Sequence, residues 1–182
     1  MTALRRVRHD ALTTQDVAEL RTLFDAEYGA AHGDWDPDAP YGYAPADVHI
    51  IAGDGRALGH VGYQRRTIRV GDRMVTVAGT GGMLVGPQAR GSGLGMRLLA
   101  ELQAAMRASR DIEFGYLGCA PAAAPFYVRA GWVRVHVAER HVSRSDGTHV
   151  WEAPGAPILV CAAAREVDEW PSGDVDLQGR PW

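Results

Sequence analysis

Residues 85–95 read VGPQARGSGLG. They follow an apolar run typical of a buried strand and lead into an apolar stripe at helical spacing. In such a loop the backbone amides and the N-terminal end of the helix point outward and suit an anion, above all a pyrophosphate. The glycines let the backbone approach phosphates without an intervening Cβ, and Arg90 adds a positive charge. The same glycines could serve turn geometry alone, so the surrounding pattern has to decide.

Two other phosphate-binding classes do not fit this pattern. A dinucleotide-binding loop would follow the first strand, and an acidic residue would end the second strand. Here several strand candidates precede the loop, and Asp111 and Glu113 come before the next strand. All nineteen basic residues are arginine. The chain therefore lacks the lysine of a Walker A loop and of Schiff-base catalysis.

Apolar periodicity on both sides of the loop predicts the remaining elements. Before it we expect a helix, an aromatic and acidic loop, and three strands joined by short glycine turns, at residues 14–28, 29–46, 48–52, 57–70 and 74–85. After it we expect a helix, a strand, a short helix and two strands, at 94–106, 112–119, 122–130, 132–142 and 158–164. This order predicts a mixed α/β (α+β) fold, with a mainly antiparallel sheet, flanking helices and one βαβ crossover.

Composition limits the functional classes. The length of 182 residues predicts one domain, 1–182, with residues 165–182 as a C-terminal tail. The net charge of −3 argues against a nucleic-acid partner, and no apolar run is long enough to span a membrane. The charged N-terminus lacks an apolar signal segment, which favours a cytoplasmic protein. Cys119 and Cys161 lack the spacing of a zinc site, so no metal is expected.

The stretch APFYVRAGW at residues 124–132 is a second motif. Its FY before Gly-Trp resembles motif B of the GNAT acetyltransferases, and the pattern Arg90-x-x-Gly93-x-Gly95 resembles their motif A. The resemblance covers roughly residues 14–142. It implies the GNAT fold and acetyl-CoA as the co-substrate.

The GNAT resemblance also assigns site residues. Main-chain groups of Met83, Leu84 and Val85 would bond the pantetheine arm of CoA. The pyrophosphate would lie at the loop and helix start, formed by Arg90, Gly91, Ser92, Gly93, Leu94, Gly95 and Met96. Tyr127 would point at the thioester sulfur and protonate the departing thiolate, which a phenol with a pKa near 10 can do. Taken alone, Tyr127 could equally be a core aromatic residue.

Two subfamilies resemble the chain more closely. Residues 59–71 and the tail DEWPSG at 168–173 resemble the nodulation N-acyltransferases. The aminoglycoside 2'-N-acetyltransferases share Gln64-Arg65-Arg66, the pattern Glu169-Trp170-Pro171-Ser172-Gly173-Asp174, and a C-terminal tryptophan. The second resemblance implies that acids and aromatics of an N-terminal loop and the tail bind ammonium groups of the substrate, namely Asp34, Trp35, Asp36, Asp174 and the carboxylate of Trp182. The alternative is that these acids only form a solvated surface.

The chain departs from the aminoglycoside enzymes at Gly81, where they carry a glutamate thought to act through water as the base. The tail before Trp182 is also longer, so the acceptor site should be reshaped around Gly81. Candidate bases are Asp174, the Trp182 carboxylate and His60. Cys119 ends a strand beside the cleft and is expected to line it, but no histidine that would activate its thiol is recognisable.

The favoured function is therefore acetyl-CoA-dependent N-acetylation of an aminoglycoside or a related amino sugar, such as a kasugamycin-like antibiotic. The amine would attack the thioester directly in a ternary complex. Two alternatives remain open: N-acylation of chito-oligosaccharides with a longer acyl group from an acyl carrier protein, and a binding module without catalysis. By analogy with GNAT proteins, a homodimer is expected.

Overall fold

A long antiparallel hairpin forms the centre of the fold. Its strands are β3 (Gly59–Val70) and β4 (Arg73–Val85), joined by a tight turn in which Gly71 has a φ of +54°. The computed structural model describes residues 2–182. Every other strand is added to one side of this hairpin or the other.

The ten strands form one mixed sheet. They are β1 (Leu4–Arg8), β2 (Val48–Ala52), β3, β4, β5 (Phe114–Gly118), β6 (Val133–Val135), β7 (Glu139–Val142), β8 (His149–Glu152), β9 (Ile158–Ala162) and β10 (Val175–Asp176). The helices are α1 (Thr14–His32), α2 (Leu94–Ala108) and α3 (Ala124–Arg129). Along the main path the order is β6-β9-β5-β4-β3-β10-β7-β8, while β2 and then β1 pair beside the first half of β3. The predicted fold class is confirmed.

The parallel pair of β4 and β5 separates partway along its length. Val77–Gly79 pair with Phe114–Tyr116, and no pairing continues beyond them. From Thr80 onward, β4 is paired on its β3 side only. The separation leaves an opening between the two strands, directly before the glycine loop.

The two faces of the sheet are covered by different elements. Alternate side chains of β2 show this, because Ile50 belongs to the apolar cluster under α2 and Ile51 to the cluster under α1. The stripe predicted for α2 is confirmed: Leu94, Leu98, Leu99, Leu102 and Met106 are all buried. A third cluster lies beneath the C-terminal tail and includes Trp170 and Trp182.

The tail returns the end of the chain to the centre of the sheet. Its strand β10 pairs with β3 and β7, and the indole of Trp182 then lies flat against β4 at Gly79. A Cβ on Gly79 would lie 2.0 Å from the indole. The absence of a side chain at this position is therefore what gives the indole its place.

Several predicted boundaries differ from the structure. Helix α1 extends to His32, and its cap is Thr13, which forms a capping box with Asp16. The strand predicted at 132–142 is two short strands, β6 and β7. Strands β1, β8 and β10 were not predicted, because two to five residues at the end of a sheet carry little periodicity of their own.

The contact between Gly79 and Trp182 predicts that a substitution at Gly79 destabilises the fold only when Trp182 is present. Gly79→Ala should lower the free energy of unfolding by roughly 1–3 kcal/mol, because the new methyl group displaces the indole. In a chain that ends at Pro181 the same substitution should cost much less stability. Denaturant unfolding of the full-length and shortened chains, each with and without the substitution, would measure both costs. Gly118→Ala is the control, since its Cβ would meet nothing nearer than 4.0 Å. Equal costs in the two chain lengths would contradict the contact.

Candidate active site

The loop between β4 and α2 presents a row of free backbone amides. Gly91 and Gly93 have φ values of +76° and +79°, and Gly93 begins the helix without any side-chain cap. Within residues 2–182, the amides from Gly91 to Met96 have no hydrogen-bond acceptor. Such a row at a helix N-terminus suits a diphosphate, since each amide and the helix dipole favour negative charge.

Arg90 braces this loop. Its Nε donates to the carbonyl oxygen of Val85 at 3.0 Å, and its Nη2 pairs with Glu27 of α1 at 2.8 Å. The hydroxyl of Ser92 donates to the Ala89 carbonyl oxygen at 2.6 Å and tightens the same turn. The structure therefore places the Arg90 guanidinium between α1 and the end of β4.

The last residues of β4 line the opening between β4 and β5. The side chain of Leu84 is buried towards α1, while Met83 faces the opening and lies close to Gly95. A Cβ on Gly95 would lie 3.1 Å from the ring of Phe126 and 3.3 Å from Met83. Gly95 thus lets α2 approach α3 and β4 closely.

Tyr127 lies at the same opening. It extends from α3, is 8% exposed, and packs edge-on against Phe126 and Trp132. Its hydroxyl has no hydrogen-bond partner within residues 2–182. The residue also lines a cavity together with residues of α1 and Trp182. Burial raises the pKa of its phenol, so the group is protonated at neutral pH.

A cavity of about 300 Å³ lies between α1 and the tail. We call it the aromatic cavity; its phenylalanine, tyrosine and tryptophan lining residues are Phe24, Tyr28, Trp35, Tyr41, Tyr43, Tyr63, Tyr127 and Trp182. Its side-chain lining contains no aspartate or glutamate, and Arg144 is its one arginine. The Arg144 guanidinium lies 4.7 Å from the centre of the Tyr43 ring and donates to the Tyr41 carbonyl oxygen at 3.0 Å.

The chain terminus supplies a carboxylate to this cavity. A Cβ on Gly81 would lie 2.5 Å from the carboxyl carbon of Trp182, so the terminal group lies directly against Gly81. The amide of Ala44 holds the preceding residue by donating to the Pro181 carbonyl oxygen at 2.9 Å. No arginine or histidine within residues 2–182 forms an ion pair with the Trp182 carboxylate. Trp182 therefore fills the space next to Gly81.

Two side chains of β3 fix the tryptophan. Its Nε1 donates to Gln64 Oε1 at 3.1 Å, and the Arg66 guanidinium lies 4.2 Å from its ring centre. Arg66 also donates to Gln64 and to the carbonyl oxygens of Leu177 and Arg180. Burial lowers the pKa of Arg66 to about 10, which leaves it charged at neutral pH. We call Gln64 and Arg66 the tail clamp.

The structure does not bring all the predicted acids to the cavity. Asp34 and Asp36 are exposed and do not line it, although Trp35 between them does and stacks on Phe24. Asp174 lies beside the β3–β4 turn, where its carbonyl oxygen accepts from Gly71 and its side chain accepts from the Ala138 amide. That turn is at the opposite end of β4 from the opening, roughly 25 Å away at the rise of a strand.

Cys119 lies beside a second cavity, next to Gly118 at the end of β5. Burial raises the pKa of its thiol, the opposite of what an acyl-carrying nucleophile needs. Within residues 2–182 its side chain has no histidine hydrogen-bonded to it. The geometry therefore gives the thiol no activation for acyl transfer.

A chain of hydrogen-bonded histidines, which we call the histidine chain, crosses the floor of the aromatic cavity. His60 Nδ1 contacts the Gly82 carbonyl oxygen at 2.7 Å, and His60 Nε2 contacts His49 Nδ1 at 2.9 Å. His49 Nε2 contacts His9 Nδ1 at 3.2 Å, and His9 Nε2 contacts Asp38 at 2.9 Å. Burial lowers the pKa of His49 to about 3 and that of His60 to about 4, so both are neutral.

The sequence analysis missed three parts of this site. The tail clamp was noted only as a resemblance, and the tyrosines of residues 29–46 only as a composition. The histidine chain joins residues that are 11 to 40 positions apart, and no local pattern marks them. A histidine within the apolar run of β2 was the one available signal.

The fold and the site together define a class. A parallel strand pair that separates, a loop of free amides opening a helix, and a tyrosine behind the opening are the features of the GNAT fold. ElaA from Escherichia coli is 18% identical over 91% of this chain and 100% of its own, with a TM-score of 0.61. YhbS from Escherichia coli, solved in complex with CoA, is 17% identical over 97% and 89%, with a TM-score of 0.62.

A GNAT family acetyltransferase from Brucella melitensis, solved with acetyl-CoA, is 18% identical over 95% of this chain and 94% of its own, with a TM-score of 0.57. The family model for NodA, nodulation protein A, matches residues 4–180. The chain therefore belongs to the NodA family, and the protein is an acyltransferase with the GNAT fold. No curated protein sequence matches it.

Two further features concern partners of the chain. Within residues 2–182, no group of three or more histidine, cysteine, aspartate or glutamate side chains is arranged to hold a metal ion. In the same range, no helix combines the length and the apolar character needed to cross a membrane.

The two buried neutral histidines predict acid sensitivity. An unfolded histidine has a pKa near 6.5, whereas His49 and His60 titrate at about 3 and about 4 in the fold. Between these values the unfolded chain binds protons that the folded chain does not. The free energy of unfolding should therefore fall as the pH decreases from 7 to 5, by about 2 kcal/mol for each histidine.

Denaturant unfolding at both pH values measures this loss. His60→Asn should recover roughly half of it, because asparagine does not titrate. His136→Asn is the matched control, because His136 does not belong to the histidine chain. If wild type and His60→Asn lost the same stability on acidification, the assigned protonation state would be wrong.

Proposed function

We propose that the protein transfers an acyl group, acetyl in the simplest case, from a CoA thioester to a primary amine of an amino sugar. The observation that carries the proposal is the Trp182 carboxylate, fixed against Gly81 in an aromatic cavity that reaches Tyr127. An ammonium group beside this carboxylate would lie near the opening where a thioester can enter.

The donor half of the site suits CoA. Its diphosphate would accept hydrogen bonds from the free amides between Gly91 and Met96. The pantetheine arm would then run along the unpaired edge of β4 through the opening between β4 and β5. The complexes of the two similar structures with CoA and acetyl-CoA support this donor.

The acceptor half suits a sugar with few charges. Tyrosine and tryptophan rings pack against the apolar faces of a pyranose, while their polar atoms and Gln64 can bind its hydroxyl groups. The cavity offers one carboxylate and contains Arg144, so a molecule with several ammonium groups would meet repulsion. Since Asp34, Asp36 and Asp174 lie outside the cavity, a singly charged amino sugar fits better than a polycationic aminoglycoside.

The reaction follows from these positions. The ammonium group, oriented by the Trp182 carboxylate, loses a proton to water, and the free amine attacks the thioester carbonyl carbon. The resulting oxyanion accepts a hydrogen bond from the amide of Met83 at the unpaired edge of β4. The C–S bond then breaks, the attacking nitrogen gives up its second proton to water, and the thiolate takes the phenolic proton of Tyr127, which is later replaced from solvent.

Tyr127→Phe tests the acid. It should lower kcat about 100-fold and change the KM for acetyl-CoA little, because the phenol acts on the leaving group. Steady-state kinetics with thiol detection measures both constants. Tyr28→Phe is the matched control, since it removes a phenol from the same cavity and should alter mainly the KM for the acceptor. An unchanged kcat in Tyr127→Phe would exclude the phenol as the acid.

A panel of acceptors, together with a variant whose C-terminus is extended, tests the function. Acetyl-CoA and a long-chain acyl-CoA are offered with glucosamine, de-N-acetylated chito-oligosaccharides, kasugamycin and a deoxystreptamine aminoglycoside, and products are identified by mass spectrometry. We expect turnover of singly charged amino sugars. A chain extended by Ala after Trp182 should raise the acceptor KM about 10-fold or more, because the terminal carboxylate moves.

Trp182→Phe is the control for the extended chain, because it keeps the terminal carboxylate in place. Its acceptor KM should stay nearer to that of wild type than the KM of the extended chain does. Turnover that is insensitive to the extension, or that is confined to amines without a sugar ring, would contradict the proposed acceptor.

A further inference from the structure

We infer that the histidine chain is a positioning device for the amide of Met83, which the proposed function assigns to the thioester carbonyl oxygen. The inference therefore rests on that function. The histidine chain runs from Gly82 in β4 through His60, His49 and His9 to Asp38 on the surface. Gly82, His60 and His49 lie on the neighbouring strands β4, β3 and β2, while His9 directly follows β1 and Asp38 lies in the loop after α1.

The acceptors at the two ends fix the proton on every ring. A carbonyl oxygen only accepts, so His60 carries its proton on Nδ1 and presents a bare Nε2. His49 must then donate from Nδ1, and its bare Nε2 accepts from His9. His9 Nε2 faces the carboxylate of Asp38 at the surface. The three hydrogen bonds between His9 and Gly82 therefore all donate in one direction, towards the Gly82 carbonyl oxygen.

The last bond determines where the Met83 amide points. The Gly82 carbonyl and the Met83 N–H belong to one peptide group, and no peptide bond within residues 2–182 is cis. In a trans peptide the two groups point in opposite directions. Because the carbonyl points to His60 on β3, the N–H points away from β3, into the opening left by β5.

The backbone at this position requires such support. The register between β3 and β4 shifts at His60 and Gly62, so Gly82 and Met83 have no paired partner on β3. Gly82 has a φ of +61°, and a Cβ on it would lie 3.1 Å from the His60 ring. Without the His60 proton, the Gly82 carbonyl would lose this hydrogen bond and the peptide could rotate.

The outer end of the histidine chain, Asp38, lies on the loop that lines the aromatic cavity. The Asp38 side chain is 79% exposed, and it follows Trp35 and precedes Tyr41 in that loop. The histidine chain thus links the wall of the aromatic cavity to the amide that faces the thioester. Successive hydrogen bonds polarise one another, so the negative charge of Asp38 and the His9 proton also influence the polarity of the Gly82 peptide.

A pair of substitutions at His60 tests the positioning role. Asparagine keeps an N–H near the place of Nδ1 and can still donate to Gly82, whereas leucine fills the space and cannot. We expect His60→Leu to lower kcat about 10-fold or more at an unchanged KM for acetyl-CoA, and His60→Asn to retain most of it. A structural role in the core alone would predict that the two variants lose stability and activity in parallel.

Infrared spectroscopy of acetyl-CoA labelled with ¹³C at the thioester carbonyl provides the direct readout, and it needs no acceptor. In wild type the carbonyl stretch should shift to lower frequency on binding, because the Met83 amide donates to it. The shift should be lost in His60→Leu and kept in His60→Asn. An equal shift in the three proteins would overturn the inference, while failure of acetyl-CoA to bind wild type would overturn the proposed function itself.

Asp38→Asn keeps the test independent of folding in the core, because the residue is exposed. We expect a smaller infrared shift than in wild type and a kcat lowered about 2- to 5-fold, since the carboxylate no longer fixes His9. Asp54→Asn, at an exposed residue in the β2–β3 turn, is the matched control and should change neither. An Asp38→Asn protein with the shift and kcat of wild type would show that the chain does not extend to the surface.

Discussion

The site depends on the loss of one strand pairing. Strand β4 pairs with β5 through Gly79 and then continues to Val85 with a partner on one side only. An unpaired edge inside a sheet is costly unless another molecule satisfies its backbone groups. The separation of β4 from β5 therefore leaves room and free backbone groups for a ligand. The free amides of residues 91–96 follow the same strand, so the proposed ligand, a CoA thioester, would contact both.

The three glycines of the AGTGG segment, residues 78–82, each leave room for another group at this strand. A side chain at Gly79 would displace the indole of Trp182, one at Gly81 would displace its carboxylate, and one at Gly82 would meet His60. The segment is therefore shaped to receive the end of the chain on one face and a histidine across the bulge. This explains why the tail is needed to complete a cavity that α1 and the sheet leave open.

The sequence predicted features that depend on neighbouring residues and missed those that depend on contacts between distant residues. The loop at 85–95 and Tyr127 could be found because the GNAT motifs are short and lie next to predictable elements. Asp174 was placed wrongly in relation to the cavity because its position depends on β10, a two-residue strand without a periodic signal. The same holds for the contact of Trp182 with Gly79, which joins residues a hundred positions apart. That contact follows from tertiary packing, since glycine in a strand indicates close approach without naming the partner.

The Trp182 carboxylate is held differently from the carboxylate of a glutamate side chain. Its position depends on the backbone and on the tail clamp rather than on a flexible side chain, so it loses little freedom when it binds an ammonium group. In the proposed reaction this rigidity would let the carboxylate orient the amine, while water removes its proton.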